Sequence, residues 1–475
     1  MSQRVSIGLV AFTFALAGMA LPAHAQFGGF MNMIQQQQQQ QQKQAAEEIA
    51  KPSKKWGTPT PVTPQLQAAA SAFAQKTEPA ELRPLYERLF IEGERNATLN
   101  LQRIGLAALA LGKIDVAEKA LDGAAFRIDL IYADNPEAQK AKSLWTAEKI
   151  KDYKGEPYER AMAFFYRGLA YAARGDFQNA RAMFKQADYQ DTVAEGEAFQ
   201  GDFGLMPYMA GWASFCDGNR DMAKEFLQRA AKGDRNYVDV SVEQPVLVLY
   251  ETGRAPFKYG AGRTGEALKW QPHPIPAQNA VAACGGEPNT CFVEKFVVGA
   301  DIGFQATTRG GRAFDAILGG KADFKEGAQN ISKVGMTVGA ASADVAMMTG
   351  NREMAGIAAI GMLAGLVAQG VADSTQTQAD IREWEQLQGI IWLGTAPQLQ
   401  NVPNATVSLT TVGMPADART SLPMSRIVDT PKCQLYWGRS FDPLALLKEA
   451  GPLEPGAHKR DPVFRQEMDG TFAAR

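Results

Sequence analysis

GLAYAARGDFQNARAMFKQA, residues 168–187, decides how the chain folds, because its pattern of small residues occurs twice more. Residues 105–124 read GLAALALGKIDVAEKALDGA and residues 211–230 read GWASFCDGNRDMAKEFLQRA. Each window has a central glycine: Gly112, Gly175 and Gly218. Seven residues before it stands another glycine (Gly105, Gly168, Gly211), and five before it an alanine (Ala107, Ala170, Ala213). Alanine returns five residues after it (Ala117, Ala180, Ala223) and twelve after it (Ala124, Ala187, Ala230), with a large apolar residue at nine (Leu121, Phe184, Leu227). Two antiparallel helices need small residues where their backbones touch, and a large residue fills the gap beside the contact. The pattern predicts three helix-turn-helix pairs over about 98–131, 161–194 and 204–237.

That register resembles the tetratricopeptide repeat, whose units stack into scaffolds that bind other chains. The marker glycines are 63 and 43 residues apart, against about 34 for a regular array. Inserts around Trp145 and Glu197 account for the difference. The same register assigns an apolar inner face: Leu99, Leu106 and Leu109, then Met162, Phe165 and Leu169, then Leu205, Tyr208, Trp212 and Phe215. Such a face does not stay open to water. Its occupant is either the chain itself, by its C-terminal region or an extra helix, or a partner helix or peptide, which makes Phe165, Leu205, Tyr208, Trp212 and Phe215 the candidate binding residues.

Upstream, Arg4, the apolar run Val5–Leu21 and Ala23-His24-Ala25 form an export signal over 1–25, with cleavage expected before Gln26. Residues 26–65 hold eight consecutive glutamines, Gln35–Gln42, and then Pro52, Pro59, Pro61 and Pro64. They offer little to bury and read as a low-complexity tether. The helical region follows over 66–240.

Over 241–440 the pattern is mixed. Val246–Tyr250, Phe292–Val298, Val407–Thr411, Arg426–Val428 and Cys433–Trp437 read as strands. Val334–Met348 and Ala355–Val371 read as a small-residue helical hairpin, each run shorter than a bilayer span and broken by Asp344 or Gln369. Residues 441–475 read as a polar tail. The fold class is therefore α+β: a tetratricopeptide-like helical solenoid followed by a mixed α/β domain.

The 475 residues carry a net charge of -2, which gives no basis for nucleic-acid binding. The three histidines, His24, His273 and His458, leave neither a histidine triad nor a histidine metal site. Gly260–Gly265 has Gly-x-Gly-x-x-Gly spacing, but Pro256 precedes it and no βαβ unit follows, so it reads as a loop. No enzyme, cofactor or metal is expected. Cys284 and Cys291 flank a turn-rich loop and are either a local disulfide or two free thiols. Cys216 reads as a small buried residue, and Cys433 has no evident mate.

Gly155-Glu156-Pro157-Tyr158-Glu159-Arg160, Ala379-Asp380-Ile381-Arg382-Glu383-Trp384 and Val248–Pro256 together resemble an uncharacterised family of bacterial cell-envelope proteins. Those proteins pair N-terminal tetratricopeptide-like repeats with a C-terminal α/β domain, and many are outer-membrane lipoproteins. The resemblance spans about 80–440 and implies an envelope scaffold in the periplasm or cell envelope, with an envelope protein as partner. This chain lacks the lipidated cysteine, and it has Leu387-Gln388 where the family has Leu-Pro. Asp380, Arg382 and Trp384 complete the candidate binding set. Asp380 and Arg382 are also placed to pair and fix the approach to a strand beneath Trp384. The alternative is a membrane-associated component with 334–371 in lipid or an oligomer.

Overall fold

Thr63 opens the first described helix by accepting the Leu66 N–H at 3.1 Å, with Pro64 already in helical φ behind it. The computed structural model describes residues 61–129, 152–153, 155–192, 201–261, 267–285, 290–307, 380–402, 404–415, 418–455 and 458–473. The expected signal segment, most of the tether and the 334–371 hairpin lie outside them. Among the described residues no helix is long and apolar enough to cross a membrane. All belong to one unit, Lys54–Arg475.

Two helices, α1 (Pro64–Gln75) and α2 (Arg83–Glu92), lead into three helix pairs: α3 (Ala97–Ala110) with α4 (Ile114–Asp129), α5 (Pro157–Ala173) with α6 (Phe177–Thr192), and α7 (Leu205–Asp217) with α8 (Arg220–Gly233). The marker glycines end the first helix of each pair at φ +68, +77 and +94, backbone that side-chain-bearing residues avoid. A Cβ on Gly105 would meet Leu121 at 2.5 Å, and one on Gly168 would meet Phe184 at 2.5 Å. So the glycine at minus seven faces the large residue at plus nine. The third pair differs: Gly211 is approached by Ala223 O, Val242 and Phe226 instead of Leu227. Here the chain itself turns back through Val242. All the ruler alanines are fully buried.

The first helices are buried nearly all round, whereas the second helices bury one face. Part of the reason is a sheet on their other side, which Tyr166 of α5 reaches. Its five strands run β10 (Ser425–Asp429), β11 (Gln434–Arg439), β1 (Val246–Thr252), β7 (Ile390–Ala396), β6 (Val297–Asp301). β1 is parallel to β11 and antiparallel to β7. Alternate side chains of β1 enter two cores. Leu247 and Leu249 join the helices, while Val246, Val248 and Tyr250 face a second sheet. This explains why β1 reads as an unbroken apolar run, as a strand covered on both faces does. The second sheet orders β5 (Cys291–Val293), β4 (Gln278–Cys284), β8 (Thr406–Thr411), β9 (Arg419–Pro423). β2 (Phe257–Ala261) and β3 (Ala267–Gln271) form a separate hairpin, and a short helix, α9 (Ile302–Thr307), follows β6. The architecture is α+β.

Three expectations need correction. The expected strand Phe292–Val298 is split between β5 and β6, which belong to different sheets. The Pro/Gly-rich stretch between Tyr250 and Phe292, in which the sequence pattern marks no strand, holds β2, β3 and β4. The expected polar tail carries a helix, α10 (Asp461–Phe472), which buries Phe464, Met468 and Phe472 at four-residue spacing. That region is tied to the first helices by polar contacts: Arg88 donates to the carbonyls of Ala450, Gly451 and Pro452, and the Glu94 N–H donates to Asp461.

Candidate functional site

The three stretches that carried the family resemblance meet in one place. Glu156 and Glu159 open α5 as a reciprocal capping box, with the Glu156 N–H donating to Glu159 Oε2 at 2.7 Å. The box leaves Glu159 Oε1 for another donor, and the Trp384 N–H takes it at 2.9 Å. Lys258 Nζ, from β2, lies 2.5 Å from Glu159 Oε2 and donates to the Arg382 carbonyl at 2.9 Å. The Lys258 backbone N–H donates to Glu383 at 2.9 Å. The rings of Tyr153 and Tyr158 each lie 5.8 Å from the ammonium. The third stretch closes the arrangement: Arg254 donates to the Glu385 carbonyl, and the Ala255 N–H to that of Leu387.

Asp380 and Arg382 form an ion pair with an Nη2–Oδ2 distance of 2.6 Å and a second bond from Nε at 2.8 Å. Arg382 also reaches Asn96 Oδ1 at 2.6 Å, joining this segment to the start of α3. Trp384 is buried, donates from Nε1 to Gln386 and stands edge-on to Tyr166 at 5.7 Å. Beside them Arg103 grips Glu385 with Nε and Nη2, at 2.7 Å for the shortest bond. Glu92 accepts from Asn96 and Asn100 and pairs with Arg88. A last polar contact crosses to the sheet, where Glu251 of β1 accepts from Tyr166 and Trp437.

Burial dominates the electrostatics. It pushes the Tyr153 and Tyr158 hydroxyls well above their usual range, and the Glu159 carboxylate adds to the effect. It raises Glu383 against the lowering influence of Lys258. Burial would lower Arg103 and Arg382, but the charges of Glu385 and Asp380 outweigh it and hold both above the ordinary arginine value. Burial would raise Glu92, yet Arg88, Arg103 and the Asn100 amide more than offset it and hold its carboxyl low. Each of these charges sits against a local partner, and networks matched in this way fix segments in place.

The apolar candidates are also interior. Phe165, Leu205, Tyr208 and Trp212 are fully buried, and Phe215 is half-buried beneath the Arg220 guanidinium. Trp212 stands edge-on to Phe177 at 6.0 Å, and Tyr208 stacks at 5.3 Å on Tyr237 from the segment that follows α8. Of the two occupants the sequence left open, the structure shows the chain itself. Tyr166, next to Phe165, reaches Trp437 in β11.

Cys284 and Cys291 form a disulfide across β4 and β5. Cys216 is buried as expected but is also bonded to Cys433, which supplies the mate that Cys433 lacked in the sequence reading. A separation of 217 residues left no spacing from which to infer the pair. Sequence reasoning also missed Lys258, Arg103, Glu385 and Glu92. Charged residues of this kind read as solvated. Arg88 and Asn96 each stand four residues from Glu92, a local signal for its pairing, whereas only the tertiary fold brings Lys258, Arg103 and Glu385 to their partners. Among the described residues no three His, Cys, Asp or Glu side chains gather as a metal site. A surface cavity of about 420 Å³ lies between α6 and α8, lined by Lys185, Gln186, Asp188, Tyr189 and Arg229. Compared with protein-family models, curated proteins and solved structures, the chain finds no match.

Proposed function

We propose that the protein is an exported, non-enzymatic cell-envelope scaffold whose tetratricopeptide-like helix pairs bind another protein. The observation that carries this reading is the repeated contact of the first two pairs, Gly105 under Leu121 and Gly168 under Phe184, at one offset in one register. Arrays of such pairs present extended surfaces to other chains. Two disulfides are compatible with an oxidising compartment. Because the chain itself covers the inner face, the partner is assigned to the outer face, built from α4, α6 and α8. Phe126 on α4 is 61% exposed and Tyr189 on α6 is 47% exposed, and aromatic residues of this kind anchor protein interfaces. The motif node then has a supporting role: it holds the helix pairs and the sheets as one body.

A photo-activated cross-linking residue placed at position 126 or 189 in the living cell tests the assignment. One discrete cross-linked partner in the envelope fraction is expected from both sites, and none from position 212. Cytoplasmic residence, or silence at both outer positions, would refute it.

A further inference from the structure

The four cysteines are joined in a nested order, Cys284 to Cys291 inside Cys216 to Cys433. We propose that the local bond is a guard: it removes the two thiols that would otherwise capture Cys216 before its true mate is in place. The outer bond is late by construction. Cys216 ends α7, whereas Cys433 sits in the turn before β11, with its N–H on Thr430 Oγ1 at 3.0 Å. The two meet only when β11 has docked in parallel beside β1. Until then Cys216 is a thiol with no native partner and with Cys284 only 68 residues away.

Loop-closure statistics decide which bond forms first. Closing the 7-residue separation of Cys284 and Cys291 is favoured about 30-fold over closing 68 residues in an unfolded chain, from the three-halves power of length. If Cys284 were left free, its capture of Cys216 would be favoured about six-fold over the 217-residue native closure. The mispair would then be damaging, because native Cys216 and Cys433 are 1% and 0% exposed and belong to the core that joins α7 to β11. Each oxidation is the same reaction. Two thiols lose two protons and two electrons as the S–S bond forms, and a disulfide-bearing oxidant accepts them and leaves as two thiols. The inference holds in any oxidising setting and does not rest on the proposed function.

The test is oxidation of the reduced, unfolded full chain by oxidised glutathione, quenched with acid at intervals and mapped by mass spectrometry without reduction. In the wild type the Cys284–Cys291 peptide is expected to appear before Cys216–Cys433, with little Cys216–Cys284. Cys291→Ser is expected to yield Cys216–Cys284 in several-fold excess over Cys216–Cys433, whereas the double variant Cys284→Ser, Cys291→Ser recovers Cys216–Cys433 to the wild-type extent. Native Cys216–Cys433 accumulating first in the wild type, or forming cleanly in Cys291→Ser, would overturn the proposal. A double variant that fails to form it would overturn it too, making the local bond a requirement of folding and not a guard.

Discussion

Replacing Lys258 by methionine tests the motif node at its centre. Lys258 and Glu159 form an ion pair whose side chains are 1% and 0% exposed. Removing one partner of a buried pair typically costs about 3–5 kcal/mol, because the other charge stays behind without compensation. Here Glu159 would keep the N–H groups of Glu156 and Trp384, which places the loss near the lower end, about 3 kcal/mol. The lost bond from Nζ to the Arg382 carbonyl adds about 1 kcal/mol. Lys258→Met should therefore destabilise by about 4 kcal/mol, a large share of the stability of an ordinary domain. Adding Glu159→Gln removes the stranded charge but turns an amide NH2 toward one of the two backbone N–H groups that the carboxylate accepted, so it should restore only about 1 kcal/mol. Urea unfolding followed by tryptophan fluorescence reads both variants, because Trp384 lies against Glu159. If Lys258→Met unfolds within about 1 kcal/mol of the wild type at unchanged slope, the pair is not holding the helices to the sheets.

Other outcomes follow from the same geometry. Glu92 is held below its ordinary value near 4.5, so the stability it contributes is fully present above that pH and is lost as pH falls through the folded-state value; acid titration of unfolding should show this loss, and Glu92→Gln should flatten it. Ala180 is fully buried in α6, and Ala180→Leu should overpack the pair and cost about 1–3 kcal/mol by thermal melting. A melt identical to wild type would mean that the helix register is wrong. Removing the 217-residue closure with Cys216→Ser and Cys433→Ser should cost at most about 5 kcal/mol, measured by urea unfolding under oxidising conditions.

Several elements were legible in the sequence because their signals are local. The glycine–alanine ruler encodes helix pairs through short-range sterics, and β1 announces itself as five consecutive large apolar residues. β7 was missed although Ile390–Leu393 is apolar, because the glycines on either side and the charged segment before it read as loop. β2 and β3 lie between prolines, and their pairing, Phe257 opposite Gln271, is set by contacts beyond the hairpin. In α10, Phe464, Met468 and Phe472 do show a four-residue period, but the polar residues between them outweighed it. The site was legible only as three unconnected phrases. Asp380 and Arg382 are two residues apart and their pairing could be reasoned from sequence. Glu159, Lys258 and Trp384 are separated by about a hundred residues or more, and no local rule joins them. Phe165, Leu205, Tyr208 and Trp212 were identified as an apolar face, yet a sequence cannot say what covers such a face.

That covering is the central claim, since it sends any partner to the outer helices. Urea unfolding of Trp212→Ala beside Phe126→Ala tests it most directly. Trp212 is fully buried and Phe126 is 61% exposed, so the account predicts a loss of about 3–5 kcal/mol for the first and within about 0.5 kcal/mol for the second. A Trp212→Ala protein that unfolds like the wild type would contradict it, and would mean that the inner face is open in solution and is itself the surface offered to a partner.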